Sequence, residues 1–256
     1  MPARRGAKLR SVRILSIIHG ENARAGVFGE EVLAEGHELE ERSWALGDPP
    51  GDVADYDGVL VLGGSMNVHE LDGHPWIPDE ARAVERALDR GIPVFGVCLG
   101  SQLLGAVAGA QVSRVATPEI GWFDVETTAA APFDPLLRNL PERFTAYQWH
   151  SYQCDLPAGA TALAQSPVCL QAYRLGDAPA WGTQFHAEVT PEICESWISH
   201  FDTDPDAIAQ GFDPEVERAR VAQEIGRWNE LGRRLMRGFL GAVAERPEAT
   251  PARASA

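Results

Sequence analysis

Three short apolar runs, separated by helical patterns, constrain the fold more than any other feature of this sequence. They are VRILSII at 12–18, GVLVL at 58–62 and IPVFGV at 92–97. Near-continuous apolar runs of this length are typical of strands that are buried on both faces, as in parallel sheets. Helical patterns over 23–35, 78–90 and 99–109 supply the crossover connections that parallel strands need. The sequence therefore predicts an α/β fold with an open, mainly parallel sheet and helices on both faces.

The pattern changes after Gln111. Short runs with alternating polar and apolar residues follow, and they predict antiparallel strands added at one edge of the sheet. A helix is then predicted over 191–200, with Thr190 as its N-cap. Helical periodicity continues over 213–244, interrupted by glycines that we expect to break it.

The chain is predicted to form one domain with additions at both ends. The predicted segments are a disordered arm over 1–10, the domain over 11–201, a C-terminal helical extension over 202–244 and a disordered tail over 245–256. The extension has alternating charges and regularly spaced apolar positions, which favour simple packing against the domain. A surface for a dimer or another partner is the alternative.

Composition narrows the class of protein. The formal net charge of −15 argues against a nucleic-acid partner and against binding to an anionic membrane surface. No run approaches the roughly 20 apolar residues of a membrane span. The four cysteines form no C-x-x-C pair, so we expect reduced thiols, a cytoplasmic protein and no metal or other cofactor.

Cys98 occupies an unusual position in GVCLGSQ, at 96–102. It lies between a predicted strand and a predicted helix, with Gly96 and Gly100 two residues away on either side. A G-x-C-x-G turn of this kind can hold a nucleophile in the open, and the N-terminus of the next helix favours a thiolate. The alternative is a small, inert, buried cysteine.

His186 and Glu188 are the best candidates for a base and the residue that orients it. They lie in GTQFHAE, at the end of another apolar run. Residues i and i+2 of an extended segment point to the same side, so Glu188 can bind one imidazole nitrogen while the other faces Cys98. A partly exposed histidine is the alternative, and a metal site of His186, Glu188 and His150 lacks standard ligand spacing.

Gly63 and Gly64 follow the second apolar run. Consecutive glycines can turn backbone N–H groups inward to bind an oxyanion, although an ordinary turn would use the same residues. The N–H of Leu99, next to the cysteine, would face the same position.

Taken in order along the chain, these motifs resemble the class I glutamine amidotransferase family, which has a Cys-His-Glu triad. The stretches that carry the resemblance lie between Val12 and Ser199: LVLGGSMNVHE, GVCLGSQLL, PEIGWFDVETT, YQWHSYQCDLPAGATALAQS and GTQFHAE. The resemblance implies a flavodoxin-like sheet. Two departures are Ala187, where the family usually has proline, and Ser101, where it often has a larger residue.

The resemblance also implies a role for each matching residue. Cys98 is implied as nucleophile, His186 as general base and Glu188 as its orienter, with Gly64 and Leu99 as backbone oxyanion donors. The implied substrate-binding residues are Gln102, Ser151 and Tyr152.

Three functions remain open. The first is hydrolysis of the L-glutamine side-chain amide through a Cys98 thioester, with ammonia passing to a synthetase on a separate protein. The second is a stand-alone γ-glutamyl peptidase with the same triad, and the third is a non-catalytic binding protein. No G-x-x-x-x-G-K-[ST] phosphate loop is present, so we expect no ATP chemistry in this chain. An oligomer is possible.

Overall fold

A computed structural model describes residues 10–49, 51–176 and 178–246. The predicted disordered arm over 1–10 lies outside the described residues except for Arg10. The predicted tail over 245–256 lies outside them except for Glu245 and Arg246.

Within the described ranges the sheet has nine strands, and five of them are parallel. These are β1 (Arg13–Ile17), β2 (Glu38–Arg42), β3 (Gly58–Val61), β4 (Val94–Val97) and β9 (Ala180–Thr183). They lie in the order β2-β1-β3-β4-β9 and pair in parallel throughout. This is the 2-1-3-4-5 order of flavodoxin-like sheets, so the predicted fold class is confirmed.

The other four strands extend the sheet beyond β9 and pair antiparallel, as predicted. They are β5 (Val112–Thr127), β6 (Arg143–Cys154), β7 (Thr161–Gln165) and β8 (Leu170–Arg174), in the order β9-β8-β7-β5-β6. The register between β5 and β6 shifts between Arg114 and Glu119. The WHSY segment of β6 lies opposite this irregularity, with Tyr152 paired on one side of the shift and His150 on the other.

Six α-helices lie within the described residues, along with short 3-10 turns. They are α1 (Gly26–Ala34), α2 (Ile77–Asp89), α3 (Leu99–Val107), α4 (Pro191–Ser199), α5 (Pro205–Ala209) and α6 (Pro214–Ala244). The Thr190 hydroxyl accepts a hydrogen bond from Ile193 N at 3.3 Å, which confirms the predicted cap of α4. No helix in the described part of the chain is both long enough and apolar enough to cross a membrane.

Alternation along the parallel strands creates two apolar layers. In β3, Leu60 faces the cluster that includes residues of α1, α4 and α6, whereas Val59 and Val61 face the cluster that includes residues of α2 and α3. Both faces are buried because successive side chains point in opposite directions and helices cover each side. The ends of the strands are consequently the edges where side chains can meet a small molecule.

The C-terminal helix corrects one expectation. Helix α6 runs without a break over 31 residues, although glycines were expected to interrupt it. Two of these glycines permit close contacts instead. A methyl group at Gly232 would overlap the Ala187 carbonyl oxygen, and one at Gly238 would lie 2.6 Å from the Pro135 carbonyl oxygen. The helix accepts their conformational cost because it packs so closely on the domain.

Candidate active site

Cys98 lies on a strained turn between β4 and α3. Its φ of 51° and ψ of −108° make it the one non-glycine residue with positive φ among the residues that the structure describes. Its N–H donates to the Thr183 carbonyl of β9 at 2.7 Å. Strain at a non-glycine residue persists only where surrounding contacts hold it, and such residues cluster at functional sites.

The glycines on either side of Cys98 are required by space. A methyl group at Gly96 would lie 2.5 Å from the Gly100 carbonyl, and one at Gly100 would overlap the Val61 carbonyl oxygen of β3. The turn therefore allows α3 to begin directly against the sheet. The Ser101 hydroxyl lies against Gly182 of β9, where a methyl group would be too close to it, and its carbonyl accepts a hydrogen bond from the Tyr173 hydroxyl at 2.6 Å.

His186 and Glu188 lie beside Cys98, after the end of β9. The Nδ1 atom of His186 is 2.7 Å from Glu188 Oε1, and both side chains are almost fully buried. A methyl group at Gly63 would lie 2.7 Å from His186 Cε1 and 3.6 Å from Cys98 Cβ. One small region thus brings together the three residues predicted as a triad and the predicted oxyanion loop.

The electrostatics of this region favour a charged imidazole. Burial alone would lower the pKa of His186. The negative charges of Glu188 and Cys98, with hydrogen bonds to both, have the larger effect and raise this pKa to about 10. With Glu188 accepting at Nδ1, the Nε2 side of the ring serves Cys98. The arrangement can therefore hold a proton on His186 next to a sulfur nucleophile.

Other parts of the fold hold the His186 loop in place. The N–H of His186 donates to the Tyr147 carbonyl of β6 at 2.9 Å, and its carbonyl accepts from the Trp228 indole of α6 at 2.8 Å. The Trp197 ring packs edge-on against the imidazole, with 4.8 Å between ring centroids. Ala187, where the family usually has proline, is fully buried beneath α6. These contacts limit the freedom of the imidazole.

The Gly63–Gly64 loop is bound to a buried histidine. The Nδ1 atom of His19 lies 3.0 Å from the Gly63 carbonyl oxygen, and its Nε2 atom lies 2.9 Å from Glu80 Oε2. The side chains of His19 and Glu80 are inaccessible to solvent. The loop that was predicted from two glycines is therefore held by a residue that follows β1 and, through it, by a residue of α2.

The predicted substrate-binding residues lie close to one another. Gln102 Nε2 donates to the Tyr152 carbonyl at 3.0 Å and to Gln184 Oε1 at 3.1 Å. The Ser151 hydroxyl donates to Asp206 of α5. The side chains of Gln102 and Ser151 thus bind other protein groups, and direct substrate contact by this segment is expected from its backbone.

A second buried histidine holds the same segment. His150 Nδ1 lies 3.0 Å from the Tyr152 carbonyl oxygen, and His150 Nε2 lies 3.0 Å from Glu119 Oε2. His150 therefore pairs with Glu119, and not with His186 as the metal alternative required. Glu119, His150 and Cys169 offer ligand atoms within 4.8 Å of one another. However, Glu119 Oε2 already accepts hydrogen bonds from Gln171 and Ser166, so the cluster is a closed hydrogen-bond network.

The remaining cysteines do not have the setting of a nucleophile. All four cysteines are free thiols. Burial raises the pKa of Cys154 and of Cys169 to about 12, and it raises the pKa of Cys194 as well. These thiols stay protonated at neutral pH, which leaves Cys98 as the candidate nucleophile.

The sequence alone did not predict the two buried Glu–His pairs, or the hydrogen bond from the Trp228 indole to the His186 carbonyl. His19 and Glu80 are 61 residues apart, and Glu119 and His150 are 31 apart. No local pattern links residues at such separations. The one available signal was that each histidine follows or lies within an apolar strand.

Known proteins resemble the chain in both sequence and fold. The model of the family described as glutamine amidotransferase class-I matches residues 36–200. YfeJ of Salmonella typhimurium, named as glutamine amidotransferase-like, is 27% identical over 85% of this chain and 91% of its own.

Two other relatives have more specific names. One of the subunits of a glutamine-hydrolysing GMP synthase, from Methanoculleus marisnigri, is 31% identical over 57% of this chain and 73% of its own. A γ-glutamyl-L-1-hydroxyisopropylamide hydrolase of a Pseudomonas species is 32% identical over 53% of this chain and 48% of its own.

A solved structure agrees over nearly the full length. A glutamine amidotransferase of Thermotoga maritima superposes with a TM-score of 0.81 at 29% identity, covering 93% of this chain and all of that one. Because the family model spans well over half of the chain, from before β2 to the end of α4, the chain belongs to the class I glutamine amidotransferase family.

Proposed function

We propose that this protein hydrolyses the side-chain amide of L-glutamine through a thioester on Cys98. The observation that carries the proposal is the strained turn that presents Cys98 to the buried His186–Glu188 pair. A nucleophile, a base and an orienting carboxylate in this relation serve acyl transfer in unrelated folds.

In the first step, the Cys98 thiolate attacks the amide carbon of glutamine. A carbon–sulfur bond forms, and the carbonyl oxygen takes the negative charge between the N–H groups of Gly64 and Leu99. The carbon–nitrogen bond then breaks as the imidazolium of His186 gives its proton to the departing nitrogen. Ammonia leaves, and a γ-glutamyl thioester remains. The raised pKa of His186 suits this step, because the ring carries a proton at neutral pH.

In the second step, water releases glutamate. Thioester formation removes the negative charge on Cys98, which is one of the causes of the raised pKa of His186. The ring then becomes a better base and takes a proton from the attacking water. The carbon–sulfur bond breaks, the thiolate is restored and glutamate leaves. One histidine thus serves as acid and then as base.

We propose that the ammonia passes to an acceptor on a separate protein. The name of the Methanoculleus relative, which is one subunit of a glutamine-hydrolysing synthase, supports a divided arrangement of this kind. We expect the protein to act in the cytoplasm, in keeping with its free thiols.

A second candidate function is hydrolysis of a γ-glutamyl amide without an acceptor. The relative from Pseudomonas, whose name describes hydrolysis of such a compound, favours it. The same two steps apply, with an amine in place of ammonia as the leaving group. The two functions differ in the substrate part that extends beyond the γ-amide nitrogen.

One assay tests both functions. Purified protein is incubated with L-glutamine or with a γ-glutamyl dipeptide, and glutamate release is followed. We expect release that Cys98→Ala abolishes and Cys154→Ala retains, since Cys154 is a buried thiol outside the site. Faster release from glutamine supports the first function, and faster release from the dipeptide supports the second. Release that survives Cys98→Ala would refute the mechanism.

A further inference from the structure

The buried pair of His19 and Glu80 has no role in the chemical steps described above. His19 follows β1, Glu80 lies in the first turn of α2, and Gly63 follows β3. The two hydrogen bonds of His19 therefore join three elements at the carboxyl edge of the parallel sheet. Burying two ionisable side chains is costly unless their contacts offset the loss of water, so the pair calls for an explanation.

The direction of one of these bonds follows from the acceptor. A carbonyl oxygen can only accept, so the Nδ1 atom of His19 carries a hydrogen and donates to Gly63. The direction of this bond is the same whether the hydrogen between His19 Nε2 and Glu80 belongs to the imidazole or to the carboxyl group. The Trp76 ring, 5.2 Å from the imidazole between centroids, covers the histidine and limits its rotation.

The bond to Gly63 also determines where the next N–H points. A trans peptide unit is planar, with its C=O and N–H in opposite directions. The Gly63 carbonyl and the Gly64 N–H belong to the same unit. When His19 holds the carbonyl, the Gly64 N–H must point to the opposite side. A methyl group on the α-carbon of Gly63 would face His186 and Cys98, so this peptide unit borders the place where the oxyanion would form.

Two consecutive glycines leave the peptide unit between Gly63 and Gly64 free to rotate unless another group restrains it. Glycine reaches a wider range of backbone angles than any other residue, so a Gly–Gly unit can rotate between orientations. A side chain at either glycine would crowd the residues around it: a methyl group would lie 2.7 Å from His186 Cε1 at Gly63 and 2.9 Å from Leu99 Cδ2 at Gly64. An external hydrogen bond can restrict the unit without occupying that space.

We propose that His19 is a positioning residue that orients the Gly64 N–H as an oxyanion donor, with Glu80 holding the imidazole in place. This inference rests on the proposed function, since it assumes that Gly64 serves an oxyanion. The bond to the Gly63 carbonyl also polarises the peptide unit and strengthens its N–H as a donor.

Two substitutions separate the bonds of His19. In His19→Asn, the side-chain amide can reach the position of Nδ1 and keep the bond to Gly63. In His19→Gln, it can reach the position of Nε2 and keep the bond to Glu80. Both variants carry a side-chain amide, but each retains a different one of the two partners of His19. His200→Asn is the matched control, because His200 Nδ1 lies 2.7 Å from the Ser196 carbonyl on the protein surface.

The assay compares two reactions of Cys98. Acylation by p-nitrophenyl acetate forms a tetrahedral oxyanion, whereas alkylation by iodoacetamide displaces iodide and forms none. We expect His19→Gln to slow acylation about tenfold or more, below the hundred- to thousandfold that follows loss of a whole oxyanion donor. Alkylation should change less than about twofold by the same reasoning, since no oxyanion donor takes part. His19→Asn should restore most of the acylation rate, and His200→Asn should have no effect.

Several outcomes would overturn the proposal. Equal loss of acylation and alkylation in His19→Gln would indicate general disruption of the site. Greater loss of acylation in His19→Asn than in His19→Gln would show that the bond to Glu80 matters and the bond to Gly63 does not. Unchanged acylation in both variants would exclude a positioning role.

Glutamate release from glutamine is measured in parallel on the wild-type protein. Its absence, with normal acylation by the ester, would refute the proposed function alone. The ratio of acylation to alkylation would still decide whether His19 orients the oxyanion donor.

Discussion

Replacing Glu217 with glutamine should stabilise the protein above pH 7 and have little effect on stability near pH 5. Glu217 lies on the buried face of α6, opposite Gly121 of β5, where a methyl group would lie 3.0 Å from Glu217 Oε2. Its Oε1 atom is buried without a hydrogen-bond partner in the described structure. Burial raises the pKa of this carboxyl to about 7, and the charge of Arg220 offsets only part of that effect.

The sign follows from proton binding. Between the ordinary carboxyl pKa of 4.5 and a folded pKa of about 7, the folded state binds more protons than the unfolded state. The free energy of unfolding therefore falls as pH rises through this window. The full difference corresponds to about 3 kcal/mol at about 1.4 kcal/mol per pH unit, and about 2 kcal/mol of it falls above pH 5, where the unfolded carboxyl is already mostly ionised.

Urea unfolding at several pH values from 5 to 8.5 measures this effect. The stability of Glu217→Gln relative to wild type should rise by about 2 kcal/mol across the range. A constant offset from the new amide does not matter, because the change with pH is the quantity of interest. Glu215→Gln is the matched control on the same helix, since that side chain is 80% exposed and the substitution removes a carboxyl that is not buried. A Glu217→Gln offset that is constant, or that rises toward acid pH, would refute the reasoning.

Three further predictions concern the site. Gly100→Ala should lower the free energy of unfolding, measured with urea, by several kcal/mol, because the methyl group would overlap the Val61 carbonyl. A free energy of unfolding within about 0.5 kcal/mol of wild type would contradict the packing described here. His150→Gln keeps a donor toward Glu119 but loses the bond to the Tyr152 carbonyl. In steady-state kinetics, KM for glutamine should therefore rise about tenfold, with kcat nearly unchanged. A fall in kcat with an unchanged KM would show that the bond serves the chemical step instead. The single-turnover rate of ammonia release should persist to about pH 9 and fall as pH rises through about 10, where His186 loses its proton. A rate that already falls near pH 6.5 would contradict the role of a protonated His186 as the acid.

Residues that the chemistry requires at strand ends could be predicted from the sequence. Cys98 follows β4 and His186 follows β9, and neighbouring parallel strands end at the same edge. The i, i+2 spacing was enough to place Glu188 at the imidazole. These features are local or follow from the sheet, so hydrophobic patterns contain them.

Contacts between distant segments could not be predicted in this way. The glycines of α6 were expected to break the helix because glycine has a low intrinsic helix propensity. Their purpose is visible only beside Ala187 and Pro135, whose carbonyls they approach. The buried partner of His19 was equally hidden, since a glutamate at the start of a helix is ordinarily explained by the helix dipole.

The bond from the Trp228 indole to the His186 carbonyl has a consequence for how the protein acquires its structure during synthesis. Trp228 lies 42 residues after His186, and Asn229 donates to the Val189 carbonyl from the same turn of α6. Synthesis proceeds from the N-terminus, so the ribosome completes the loop of His186 and Glu188 before it makes the helix that supports it. The proposed amide hydrolysis should therefore begin only after α6 has been made. Until then, Cys98 would lack an organised His186 beside it.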